Sequence, residues 1–233
     1  MIILVNHLIY DLIKNFFKEE MVYPLLPYSK LDSPVSSHPD TLLCIIDNVV
    51  FCYEEYYYEN EDLFKDIINL GYEVVKTKHS CDKKYPKDIG LNALIIGKKI
   101  FCNKKFIAKE LLEFGEKNGY KIINVKQGYS ACSTFVVDEK NAITSDLGMK
   151  KALNDEKIKV EIIPNDNIIL EGYNCGFIGG SGFVLKNTAY FFGKIKNEKE
   201  YECVNNILKE LNVDIVSLID DKLHDYGGIK IIS

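Results

Sequence analysis

The chain of 233 residues has no arginine, and all 29 of its basic residues are lysine. A lysine ammonium is a point charge, so no side chain here can grip a carboxylate or phosphate with a planar two-pronged fork. The seven cysteines include no Cys-x-x-Cys pair, and their number is odd. This argues against a disulfide framework or a zinc site and fits free thiols in a reducing cytoplasm, with no metal or cofactor expected. No apolar run approaches the roughly 20 residues that span a bilayer. The opening Met1-Ile2-Ile3-Leu4-Val5 lacks a basic flank and soon meets Asn6, His7 and Asp11, so a signal peptide is not expected. A net charge of −5 without a basic run speaks against nucleic acid as a partner. What these absences leave is a cytoplasmic protein, with neither membrane nor nucleic acid as partner.

What is present is a repeat. Composition is that of an ordinary globular chain, 47% hydrophobic and 27% charged. Four segments read as hairpin, helix, strand, which predicts a ββαβ unit each time. The first comprises strands at 41–46 and 49–53, a helix at 61–70 and a strand at 72–77. The second has strands at 92–96 and 99–102, a helix at 106–118 and a strand at 120–125. The third has strands at 133–137 and 142–145, a helix at 147–154 and a strand at 160–163. The fourth has strands at 182–185 and 189–193, a helix at 198–211 and a strand at 214–218. Gly71, Gly119 and Asn212 stand where helix C-caps are needed. The chain ends supply complementary leftovers: strand, helix and strand at 2–5, 8–18 and 22–26, and a lone strand at 229–232. Joined, they make a fifth unit. The expected architecture is one α/β domain, a five-unit propeller with pseudo-fivefold ββαβ repeats closed by the two termini and left with no open sheet edge.

In such a ring the segments leading into the hairpins converge on the centre, and those segments are the polar ones. They run over 36–40, 85–92, 127–133, 174–182 and 224–228. Polar, glycine-rich chain is costly to bury without partners, so their convergence predicts a polar pocket. The candidate ligand-binding residues are Asp40, Asp88, Asn92, Gln127, Ser130, Ser181 and Asp225. Asp40 and Asp88 equally fit turn caps after proline, and Cys132 fits an inert core thiol as well as a nucleophile. Gly179-Gly180-Ser181-Gly182 lacks the Lys-Ser/Thr of a phosphate loop and reads as a tight turn allowing close backbone approach.

The Tyr85-Pro86-Lys87-Asp88 motif in the second of five such units resembles the penteins, and within them the guanidino-group modifying enzymes. These are the arginine and agmatine deiminases, dimethylarginine dimethylaminohydrolases and amidinotransferases. Asp88-Ile89-Gly90 is similar to the Asp-x-Gly of the agmatine deiminase motif Trp-x-Arg-Asp-x-Gly-Pro. The run from Gln127 to Ser133 resembles the family's His-Leu-Lys-Ser-x-Cys-Ser, and Gly227-Gly228-Ile229-Lys230-Ile231 its Gly-Gly-x-His-Cys. The resemblance implies a pentein fold and carboxylates that bind a cation. In register, however, the family histidine falls on Gln127 and the family cysteine on Ile231. Glutamine moves no proton near neutral pH, isoleucine forms no thiouronium adduct, and such residues act as a unit.

Three readings follow. The first is a pentein-type pseudoenzyme that binds a small polar or cationic molecule at its centre. The second is a hydrolase or transferase acting on guanidino- or amide-type substrates with a relocated site. There Cys132 would be nucleophile, His38 or His224 base, and Asp40 or Asp225 orienter. The third is an interaction module without small-molecule chemistry, for which the aromatic run 53–58 is the candidate surface.

Overall fold

The computed structural model describes residues 1–232. The chain opens with β1 (Ile2–Asn6), a short 3-10 turn, α1 (Tyr10–Phe16) and β2 (Met21–Leu25). After α2 (Pro39–Leu42) come β3 (Leu43–Ile46), β4 (Val49–Tyr53), α3 (Glu54–Glu59), α4 (Glu61–Asn69) and β5 (Glu73–Thr77). Next are β6 (Leu94–Ile96), β7 (Lys99–Cys102), α5 (Lys109–Lys117) and β8 (Lys121–Asn124). They are followed by β9 (Thr134–Asp138), β10 (Asn141–Thr144), α6 (Leu147–Asp155) and β11 (Lys159–Ile162). The last elements are β12 (Gly182–Leu185), β13 (Thr188–Phe191), α7 (Glu198–Glu210), β14 (Asp214–Ser217) and β15 (Ile229–Ile232).

The strands form five separate three-stranded sheets, each built alike. A hairpin pairs antiparallel, and its second strand pairs parallel with the strand beyond the helix, as in β4 with β5. In the remaining sheet β15 takes the place of the first hairpin strand. It runs antiparallel to β1, with Ile2 opposite Ile232, while β1 runs parallel to β2. The two ends of the described chain thus complete one unit together. The expectation of a sheet without edges does not hold: no sheet is closed, and every one keeps two edge strands. The physical reason is that β3, β6, β9, β12 and β15 each pair on one side alone.

Local chemistry accounts for the repeat. Asp47, Gly97 and Lys186 turn the hairpins at positive φ, and Gly71, Gly119 and Asn212 end helices in the same left-handed region. Leu63, Phe64 and Ile67 on α4 recur at helical spacing and are buried against the β3–β5 sheet, in one apolar cluster with Phe51 and Val50.

Three local readings are corrected. Residues 41–42 belong to α2, because Pro39 presets the first helical turn and Thr41 Oγ1 donates back to the carbonyls of Val35 and His38. The stretch 106–108 is a turn ahead of α5, since Ala108 N–H is drawn to the Gly90 carbonyl at 2.8 Å. The aromatic run 53–58 enters helix α3, with Tyr53 and Tyr56 in the core and Tyr58 exposed. Among the described residues no helix is long and apolar enough to cross a membrane.

Candidate functional site

The lead-in segment before β3 is fixed first. Asp32 caps a 3-10 turn at Ser33–Val35, and His38 sits in extended conformation as N-cap of α2. Its imidazole is turned inward and is 2% exposed. The segment before β15 closes over it. Gly227 has φ of +77°, and a Cβ there would lie 2.4 Å from His38 Cβ, so glycine is required for both reasons.

Asp225 is held by backbone. Its Oδ2 accepts from Phe177 N–H at 2.8 Å and its Oδ1 from Gly227 N–H at 2.9 Å. Oδ1 also stands 3.8 Å from His38 Nδ1. Gly180 leaves the room for this carboxylate: a Cβ there would fall 1.8 Å from Asp225 Oδ1. Burial pushes the Asp225 carboxyl above the usual carboxylate range, with the His38 charge and the two backbone donors working against it.

Asn92 ties the second and third lead-in segments to the first. Fully buried, it donates to the Asp40 carbonyl at 3.1 Å and to Cys132 Sγ at 2.9 Å, and accepts from Ala131 N–H at 2.8 Å. The Cys132 thiol lies beside the Asp40 carboxylate, and burial together with the Asp40 and Asp225 charges drives its pKa well above that of a free thiol. Cys132 therefore rests protonated. Neither oxygen of Asp40 accepts a hydrogen bond of ordinary geometry. Burial pushes this carboxyl up to about 6; the His38 and Lys230 charges lower it and Asp225 raises it. Asp88 accepts from Tyr129 Oη through Oδ2, while its Oδ1 is buried without a partner, and burial raises its pKa too.

Two cavities adjoin this cluster. One, of about 260 Å³, is bordered by His38, Cys132 and Asp225 at its polar side and by Tyr129, Tyr173 and Phe177 among its walls. The rings of Tyr129 and Phe177 are 6.0 Å apart, and Tyr85 adds a third at 5.8 Å from Tyr129. The other cavity, of about 280 Å³, is bordered by Asp40, Thr134 and Lys230 and by residues of β3, β6, β9, β12 and β15. Asp40 borders the second cavity alone and Cys132 the first alone, so the contact of these two side chains lies between the cavities. All five polar lead-in segments reach the first cavity or the cluster beneath it.

The structure thus brings His38, Asp40, Asn92, Cys132 and Asp225 together and places Asp88 one tyrosine away. The remaining sequence candidates sit elsewhere. Gln127 donates to Asp146 at 2.8 Å and accepts from Tyr129 N–H, bordering neither cavity. Ser130 and Ser181 turn inward to the carbonyls of Gln127 and Phe177. His224 stacks on Tyr226 with centroids 5.7 Å apart, outside both cavities. Ile231 lies opposite Ile3 in the β1–β15 ladder. The sequence did not single out Tyr173, Thr134 or Lys230 as site residues. Tyr129 and Phe177 lay within lead-in segments and were legible there, and Lys230 stood within the Gly227–Ile231 motif.

Comparison with solved structures identifies the fold as that of the penteins. An inosamine-phosphate amidinotransferase from Streptomyces griseus superposes with a TM-score of 0.59 at 11% identity, covering 94% of this chain and 76% of its own. A dimethylarginine dimethylaminohydrolase from Pseudomonas aeruginosa in complex with citrulline gives 0.56 at 8%, covering 94% and 91%. The agmatine deiminase of C. jejuni gives 0.54 at 11%, covering 93% and 87%. The chain itself belongs to the Family of unknown function DUF6873, whose profile matches residues 4–230. No curated protein matches it in sequence.

Proposed function

We propose that this chain binds a small organic cation of the guanidinium or alkylammonium class in the cavity walled by Tyr129, Tyr173 and Phe177, without the cysteine–histidine turnover of its structural relatives. The five units would stand about one pseudo-fivefold axis as a single domain, with this cavity at one end of it, in a reducing cytoplasm where all seven cysteines stay free. The observation that carries the reading is the pairing of buried carboxylates with aromatic walls. Asp225 borders the cavity and Asp40 lies just behind it, both almost inaccessible, and no lysine borders this cavity. A cation entering there meets ring faces and two acidic groups at once. Asp88, with a free Oδ1, would add a third acidic group through Tyr129. Asn92, Gln127, Ser130 and Ser181 would hold the shape of the site.

The test is calorimetry with agmatine, arginine and simple alkylamines. Heat of binding is expected for at least one of them, weakened about tenfold by Tyr173→Ala. Silence with every cation tried would remove the reading.

A second reading rests on a different observation: Cys132, His38 and Asp225 border the same cavity, with the imidazole 3.8 Å from the carboxylate. The thiol rests protonated beside two carboxylates, and a cation bound there would offset their charge and ease its ionisation. Chloroacetamidine, a cationic electrophile, is expected under this reading to alkylate Cys132 faster than neutral chloroacetamide does, and more slowly in His38→Ala. Mass spectrometry showing no preference for the cation at Cys132 would leave the binding reading alone.

A further inference from the structure

We propose that the second cavity is a binding site for a small zwitterion, a molecule carrying one ammonium and one carboxylate, held between Asp40 and Lys230. The inference shares Asp40 with the cation reading but concerns the cavity on the other side of the Asp40–Cys132 contact, and Lys230 and Thr134 belong to it alone. Three observations carry it.

The first is the number of buried polar atoms left without good partners. Among the described residues the oxygens of Asp40 accept no hydrogen bond of ordinary geometry, with only the Cys132 thiol beside them, and the hydroxyl of Thr134 has no partner; Asp40 is 5% and Thr134 3% exposed, and both residues border this cavity. Burying such groups unpaired is costly, so they mark a place where something else completes them. The second is the charge pattern. Lys230 borders the same cavity and its ammonium forms no ion pair or hydrogen bond with any described residue, yet its charge acts on both Asp40 and Cys44. Opposite charges thus flank the space without touching across it. The third is the wall. Cys44 of β3, Leu94 of β6, Phe135 of β9, Val184 of β12 and Lys230 of β15 all border it. Each of those strands is the edge of its sheet, and an edge offers unpaired N–H and C=O groups to a ligand.

The charge pattern selects the ligand class. A lone cation drawn to Asp40 is repelled by Lys230, and a lone anion at Lys230 is repelled by Asp40. A molecule with both charges, laid in the reverse sense, meets each opposite charge at once, and Thr134 can donate to its carboxylate or accept from its ammonium. At about 280 Å³ the space exceeds by several-fold the ~30 Å³ share of one water, enough for a short amino acid. No group of three or more metal-type ligands exists among the described residues, which points away from a divalent ion.

The experiment uses the full chain with glycine, β-alanine and 4-aminobutyrate, zwitterions of increasing charge separation, against butylamine and butyrate as singly charged controls. At least one zwitterion is expected to raise the melting temperature in a saturable way, and neither control at the same concentration. Lys230→Met should weaken that zwitterion about tenfold or more, the scale of one charge-assisted contact. Thr134→Val, nearly the same shape, should weaken it severalfold without lowering the melting temperature of the free protein. Agmatine, measured on the same Lys230→Met sample, should bind as it does to the parent chain. No shift with any of the three zwitterions overturns the proposal. So does a shift that survives Lys230→Met, or one that butylamine or butyrate reproduces.

Discussion

The two cavities share a partition and differ in how their walls are made. The first is walled by lead-in loops that carry Tyr129, Tyr173 and Phe177; the second is walled by the bare edges of five sheets. Loop walls can change side chains freely, because nothing in a sheet ladder depends on them. Strand edges fix the width of the other space and leave Asp40, Thr134 and Lys230 to set its chemistry. On the two proposals, one polar cluster would serve two kinds of ligand because the chain approaches it from two sides.

The largest effect should come from wedging the partition itself. Gly179 lies so close to the third lead-in segment that a Cβ would sit 2.4 to 2.6 Å from the carbonyl oxygens of Ala131, Thr134 and Cys132. Gly179→Ala is expected to cost roughly 3 kcal/mol in urea unfolding, since backbone cannot step aside as a side chain does. It should also abolish binding in both cavities. A variant of near-parent stability would show that the two spaces are not held by this packing.

Next in size is the acid at the partition. The folded-state pKa of Asp40 is raised from 3.8 to about 6. Between those values the folded chain keeps a proton that the unfolded chain has released, so this group's contribution to stability falls as pH rises through that window. Asp40→Asn removes the ionisation. It is expected to raise the unfolding free energy at pH 7.5 by on the order of 2 kcal/mol, a gain that fades towards pH 4. A gain that is equal at both pH values would contradict the assignment. The same variant should lose zwitterion binding, which makes the partition a place where stability is given up for recognition.

Smaller still, and confined to the first cavity, is Tyr129→Phe. It removes the hydroxyl that donates to Asp88 and leaves a second buried oxygen there unpaired. About 1–2 kcal/mol of stability should be lost, and cation affinity should change while zwitterion affinity does not. A matching change at both sites would merge the two cavities into one functional unit.

The architecture was readable in the chain because each unit repeats the same local instructions. β4, β7, β12 and β15 match the predicted strands end to end, and Gly71, Gly119 and Asn212 end their helices at positive φ. The site was readable only as a set of segments. That 224–228 approaches 36–40 followed from the two ends sharing a unit; which of His38 and His224 turns inward did not. Pro39 and Gly227 decide it, one by presetting a helical turn and the other by lying against the His38 Cβ, and neither effect has a period in sequence. Tyr173 comes from the stretch between β11 and β12, which has almost no regular structure and so carries no spacing signal, and it lies just ahead of the lead-in segment that contains Phe177. Lys230 stood in the sequence only as the counterpart of the family's histidine. What puts it on the wall of the second cavity is that β15 is the edge strand of its sheet.

The pairing of β1 with β15 sets the order in which the molecule can be finished. Ile2 waits for Ile232, so during synthesis β1 stays without its antiparallel partner until the four intervening units have been made. Four units can assemble from neighbours in sequence, whereas the remaining one is the clasp. Its closing also delivers Lys230 to the space beside Asp40, so the two opposite charges flank that space only once the clasp has shut.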